Sequence, residues 1–149
     1  VYLATVMDLF TRKVVGYAVL TNHSSQLVIN ALLSALLYSP RSIIFHSDNG
    51  TEYDAKDFTT LLMSVGTLIS RSRPGSPWEN GYQESFYSQF KVDLGDSNRF
   101  ETLGELVYEI YRLIWDYNNE RIHSAFKMAP AKFALSAERD TIKLMERVS

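Results

Sequence analysis

"IIFHSDNGTEY", residues 43–53, joins an apolar run to an acidic turn, and its reading decides the architecture of the chain. Arg41 to Ser47 suits a short buried strand, and Asn49-Gly50 lets the backbone leave it. Upstream, Leu27, Val28, Ala31, Leu32, Ala35 and Leu36 recur at helical spacing from Gln26 to Tyr38, with Pro40 after the stop. Downstream, Asp54 to Val65 reads as a helix capped by Asp54 and ended by Gly66, and Thr67 to Ser70 as another strand. A helix between two strands is a βαβ unit, which favours parallel pairing in an α/β sheet. Asp48 then either closes a turn or holds a metal ion where such sheets bind ligands, at the C-terminal end of a strand.

Outside this centre, Val1 to Met7 and Lys13 to Leu20 read as a β-hairpin turning through residues 8–12. "RSRPGSPWENGYQESF" opens as a loop and continues as a helix with Tyr82, Phe86 and Phe90 as its apolar stripe, leaving Glu84 and Lys91 on another face. A further helix, Thr102 to about Tyr117, starts with Thr102 and Glu105 in a capping box and buries Leu103, Leu106, Val107, Ile110, Leu113, Ile114 and Tyr117. After the polar stretch "YNNERIHSAFKMAP" a last helix starts near Ala131.

The 149 residues, 46% hydrophobic, fit one domain. With no cysteine and three histidines, any metal must sit on oxygen or imidazole ligands, and Mg²⁺ or Mn²⁺ are the natural candidates. Fifteen Lys and Arg against 17 Asp and Glu give a net charge of −2, which argues against a dedicated nucleic-acid-binding module but not against a phosphate-handling site with a local basic rim. The apolar stretches are too short to span a bilayer, and no leader pattern is present, so the chain reads as soluble and cytoplasmic. It starts without Met and goes straight into a strand, which suggests a piece of something longer.

Asp48 and Glu84 are separated by 35 residues. A pair or trio of acids is the minimum for two-metal phosphoryl transfer, with ions about 4 Å apart. "HSDNGTEY", "SRPGSPWENGYQESFYSQFK" and "YNNERIHSAFKMAPAKF", in this order and spacing, resemble the integrase core of bacterial insertion-sequence transposases, the DDE group related to retroviral integrases. The resemblance covers nearly the whole chain. It implies an α/β, RNase H-like fold with a mixed central sheet flanked by helices, three acidic ligands for two Mg²⁺ or Mn²⁺ ions, and no small-molecule cofactor. Activity would be cleavage of DNA ends and joining of the 3′-hydroxyl to target DNA by metal-assisted transesterification.

By the same resemblance Asp48 is the second acid and Glu84 the third. The first belongs to an Asp-x-Thr strand upstream of the stretch that resembles residues 1–10. The expectation is therefore a single core domain, 1–149, truncated before its first, central strand and its catalytic Asp. Asp8 matches a turn position, not that acid. Such a fragment should bind metal weakly, be nearly inactive alone, and either dimerise through the gap or rearrange its sheet. Lys91, Arg73, Asn80 and Arg121 are candidate DNA contacts; Arg71 is another possible phosphate contact, and Gly81 with Asn80 shapes the loop beside Glu84. Asn118, Asn119 and His123 match the C-terminal motif, either touching DNA or bracing the loop. His46 is expected in a packing or supporting role, Glu52, Asp54 and Glu79 as bystanders, and Trp78 and Trp115 in a core or an interface. Expected partners are element-end and target DNA and further copies of the chain, with no membrane, in a nucleoid-associated bacterial setting. A nuclease of the same fold, or a non-catalytic DNA-binding or assembly remnant, are the alternatives.

Overall fold

A computed structural model describes residues 1–148. Strand β1 (Tyr2–Met7) pairs antiparallel with β2 (Val14–Leu20), with a register shift at Val6/Met7. The turn between them is built on Asp8. Its carboxylate accepts the Phe10 amide at 3.0 Å and the buried Thr11 hydroxyl at 2.7 Å, while Arg12 takes φ 61°. Asp8 is thus a turn residue.

Helix α1 (Ser25–Tyr38) follows, then β3 (Ile44–Ser47), a 3₁₀ turn (Thr51–Tyr53), α2 (Lys56–Ser64) and β4 (Leu68–Arg71). A second 3₁₀ turn (Pro77–Asn80) leads into α3 (Gly81–Leu94), and α4 (Leu103–Asn119) and α5 (Pro130–Val148) complete the chain. Residues 1–7 and 14–87 form one compact unit; residues 8–13 and 88 onward form another.

In the first unit α1 lies on the β1–β2 ladder through Leu27, Val28, Ala31 and Leu32, which share a cluster with Ala4, Phe58 and Leu62. Gly16 permits the approach: a Cβ there would sit 2.5 Å from the Ala35 amide nitrogen. Phe45, partly buried against the same cluster, links it to the second ladder. That ladder is β3 with β4, parallel, in the register Ile44↔Leu68 to Ser47↔Arg71.

The expected parallel pairing across α1 is therefore not made. β2 and β3 are not neighbours, and the parallel crossover is β3–α2–β4. The sheet comes as two separate two-stranded ladders, because α1 spends its apolar face on β1 and β2 and delivers the chain to a new edge. The cap of α2 is also corrected. Its N-cap is Ala55 with no side-chain bond, since the 3₁₀ turn carries Asp54 into helical φ/ψ, where it ion-pairs with Arg71 at 2.5 Å. Gly66, at φ 72°, ends α2 as expected, its amide and that of Thr67 closing on Met63 and Leu62 carbonyls.

In the second unit α4 carries the expected capping box: the Thr102 hydroxyl accepts the Glu105 amide, and Glu105 reaches back to the Thr102 amide. Ile110, Leu113 and Ile114 are buried, whereas Leu103, at the exposed first turn, is not. Phe126 stacks on Phe133 at 4.0 Å, Phe10 joins them at 5.6 Å from Phe133, and the Tyr117 hydroxyl donates to the Arg12 carbonyl at 3.0 Å. Trp78 and Trp115 are both exposed, so neither is core. No helix among the described residues is long and apolar enough to cross a membrane.

Candidate metal and nucleic-acid site

Parallel pairing with β4 carries β3 to its C-terminal end at Ser47, and Asp48 is the next residue. Asn49 ties this exit to β4 by donating to the Ser72 carbonyl at 2.9 Å, and the Ser72 amide donates to the Ser47 carbonyl at 2.8 Å. Asp48 Oδ1 accepts the Gly50 amide at 3.0 Å. Asp48 is exposed, so the turn bond occupies only one oxygen of a solvent-accessible carboxylate.

Glu84 lies in the first turn of α3, where the helix dipole favours a negative charge. It is exposed and makes no hydrogen bond or ion pair among the described residues. Of the apolar stripe expected on α3, Phe86 and Phe90 are buried, and only Tyr82 departs from it. Tyr82 is exposed, while Gln83 and Tyr87 turn toward β1: the Gln83 amide group donates to the Thr5 carbonyl at 3.0 Å, and the Tyr87 hydroxyl donates to the Leu3 carbonyl at 3.2 Å.

Two tyrosines register the charge of Asp48. Burial, reinforced by that carboxylate, pushes the Tyr53 phenol above the usual tyrosine range. The Tyr87 phenol is also raised, by burial first and by Asp48 as well, against the opposing bonds from Thr5 and Gln83. Tyr87 sits three residues beyond Glu84 on α3. Tyr53, in a ring cluster with Phe45 and Phe58, and the Gln83/Tyr87 pair were not singled out from sequence. The four-residue spacing on α3 was the available signal.

The other candidates fall into three groups. His46 uses both ring nitrogens on two serines, Ser70 of β4 and Ser72 just beyond it, each at 3.0 Å, which is a supporting position and leaves this imidazole no free nitrogen for a metal. Three arginines are already paired: Arg71 with Asp54 and the Tyr53 carbonyl, Arg73 bidentate with Glu79 at 2.7 Å, and Arg121 with Asp93 at 2.7 Å. Asp54 and Glu79 are the ion-pair partners of Arg71 and Arg73. Lys91, on α3, is exposed and in no ion pair among the described residues; Asn80 ends the 3₁₀ turn and is half-buried. In the C-terminal motif Asn118 is buried, Asn119 donates to the Trp115 carbonyl, and His123 bridges to Met128 in backbone pairing.

The donor set is oxygen only. Two carboxylates with free lone pairs suit Mg²⁺ or Mn²⁺, which keep several waters and accept substrate phosphate oxygens. No group of three acidic or histidine side chains able to hold a metal is present among the described residues.

The integrase core domain matches the chain twice, over residues 1–77 and again, by a second model of the same domain, over residues 65–130. The transposase of insertion sequence element IS904 from Lactococcus lactis is 36% identical over 126 residues, covering 83% of this chain and 50% of that protein. The chain spans about half the length of the relatives it matches. A chain in the structure of the simian T-cell lymphotropic virus intasome in complex with PP2A regulatory subunit B56 gamma superposes with a TM-score of 0.75 at 19% identity, over 87% of this chain and 46% of that one. The HTLV-2 integrase catalytic core, in complex with magnesium, gives 0.65 at 20% identity, over 85% and 79%. Those likenesses identify the RNase H-like fold, and the family models establish that the chain belongs to the integrase core domain family.

Proposed function

We propose that this chain is the catalytic core of a DNA transposase, cutting DNA strands and joining the freed 3′-hydroxyl to target DNA with two Mg²⁺ or Mn²⁺ ions. Asp48 and Glu84 would hold the metal, and both units, residues 1–149, would serve one core domain. The observation that carries this reading is the integrase core domain in a chain whose Asp48 follows the end of β3 and whose exposed Glu84 stands in the first turn of α3. The transposase name of the IS904 relative and the magnesium in the HTLV-2 core point the same way.

Two carboxylates are fewer than the chemistry needs, and the split sheet suggests where a third belongs. β1 and β3 each have a single ladder partner, so each has an edge without a strand. A strand supplied from elsewhere in a longer protein, seated between them, would unite the ladders and bring its own acid beside Asp48. Without it the chain would bind metal weakly and be nearly inactive.

A bound divalent ion would neutralise phosphate charge and assist the attacking and leaving oxygens. The chain's own residues do the placing: Asn49 fixes the β3 exit, the Gly50 amide orients Asp48, and α3 presents Glu84. Lys91 is the best placed of the DNA candidates to meet a phosphate. Arg73, Asn80 and Arg121 would do so only after giving up their present settings, Arg73 and Arg121 by leaving an acid. Such contacts position a duplex without reading its sequence. The working setting would be the bacterial cytoplasm on nucleoid DNA, in a homo-oligomer that joins two ends.

The test is Mn²⁺ titration of the chain followed by paramagnetic broadening of amide NMR signals. Broadening centred on Asp48 and Glu84, and lost in both Asp48→Asn and Glu84→Gln, is the expected result. Broadening that persists in the double variant removes the metal reading. The lack of a three-acid group favours a second reading, a DNA-binding or assembly module that never cuts. DNA binding unaffected by either substitution, with no Mn²⁺ response, would favour it. A nuclease of this fold would be recognised by cleavage without joining in a strand-transfer assay on the longer protein.

A further inference from the structure

Strand β1 reads YLATVM, with no charge, no proline and no glycine. Such a strand at a sheet edge is a template for pairing, and proteins blunt exposed edges with lysines, prolines, bulges or a covering element. The only irregularity in β1 lies at its far end, between Val6 and Met7. Yet the middle of the strand is occupied. Gln83 donates to the Thr5 carbonyl at 3.0 Å and also to the Thr5 hydroxyl; the Tyr87 hydroxyl accepts from Thr5 Oγ1 at 3.1 Å and donates to the Leu3 carbonyl at 3.2 Å. Leu3 and Thr5 are two residues apart, so their carbonyls point to one edge of the strand. Gln83 and Tyr87 are four apart, so they reach that edge from successive turns of one helix face.

We propose that the first two turns of α3 are a releasable cover for the edge of β1, and that in this chain the strand they exclude is β1 of a second copy. The edge is self-complementary. In an antiparallel pair related by a two-fold axis through Ala4, Leu3 of one copy faces Thr5 of the other, and each such pair exchanges both backbone bonds. No like charges meet, because β1 has none. Pairing and covering compete for the same two carbonyls, so a strand is admitted only as Gln83 and Tyr87 let go. The strand proposed above for a longer protein would use the same edge.

Glu84 lies between the two residues that hold the cover, so release frees its turn as well. That consequence alone rests on Glu84 being a metal ligand; the cover does not.

The test is sedimentation equilibrium of the full 149-residue chain against Gln83→Met/Tyr87→Phe, which keeps side-chain volume and helix propensity and removes both donors. Self-association tightened by roughly tenfold or more is expected, the effect of about two hydrogen bonds no longer defending the edge. In mixed labelled and unlabelled samples, an intermolecular Tyr2–Val6 Hα contact should appear, as the two-fold register requires. Should the double variant misfold, Tyr87→Phe alone should move association in the same direction by less. Unchanged association in a folded variant, or a dimer without the Tyr2–Val6 contact, overturns the proposal. Loss of Mn²⁺ binding in Glu84→Gln is read separately, so a failed metal site and a failed cover give different results.

Discussion

At Asp48 the observed turn role and the proposed metal role would share one carboxylate, and substitutions separate them. Asparagine keeps the oxygen that accepts the Gly50 amide and removes the charge; alanine removes both. Asp48→Asn should therefore hold stability near the parent in urea unfolding, while Asp48→Ala loses about 1 kcal/mol. The charge has a second readout. With Asp48 neutral, the Tyr87 phenol loses a repulsive neighbour of its phenolate, so its titration by NMR should move down. An unmoved Tyr87 would mean that the carboxylate does not act there. Burial keeps the Tyr53 and Tyr87 phenols protonated to higher pH in the fold than in the unfolded chain. Their contribution is thus complete below the ordinary tyrosine pKa of about 10 and is lost as pH rises beyond it, so melting temperature should fall from that pH upward.

Among the elements, the contact of α1 with the β1–β2 ladder is the tightest. A Cβ on Gly16 would sit 2.6 Å from the Ala35 Cβ and closer still to helix backbone, so neither element yields without moving the other. Gly16→Ala should destabilise by roughly 1–3 kcal/mol in urea unfolding, against the usual gain of replacing glycine in a strand. A neutral or stabilised variant would show that α1 can slide. Periodicity found these elements well: α1, α4 and the hairpin lie within a residue or two of their expected bounds, because apolar spacing and the Thr102 capping box are local signals. The Asp54 cap was misread because a 3₁₀ turn over Thr51–Tyr53 carries Asp54 into helical φ/ψ, and its carboxylate pairs with Arg71, which lies 17 residues further along the chain.

For the whole molecule, two ladders with unpaired edges are the governing fact. A version extended at Val1 by an Asp-bearing β-strand should melt higher and bind Mn²⁺ more tightly than the 149-residue chain, measured by calorimetry and titration. Equal melting and equal affinity would count against a strand position between β1 and β3. The family was legible without coordinates, from the motifs around Asp48 and Glu84, and those motifs supplied the proposed acid pair: Asp48 after an apolar run and Glu84 at a defined interval. Which strands pair was not, since β2 and β3 both look fit for a parallel partner and only the packing of α1 assigns them to different ladders. Nor was the fate of the basic residues. Arg71, Arg73 and Arg121 look equally available to phosphate in a string of letters, and only folding brings Asp54, Glu79 and Asp93 to them. Sequence by itself determined most of the elements and put Asp48 and Glu84 forward as the candidate acids, because helical and strand periods and turn chemistry act over a few residues. Tertiary structure decided strand pairing, the cover on β1 and which charges remain free, because those depend on groups distant along the chain competing for the same few partners.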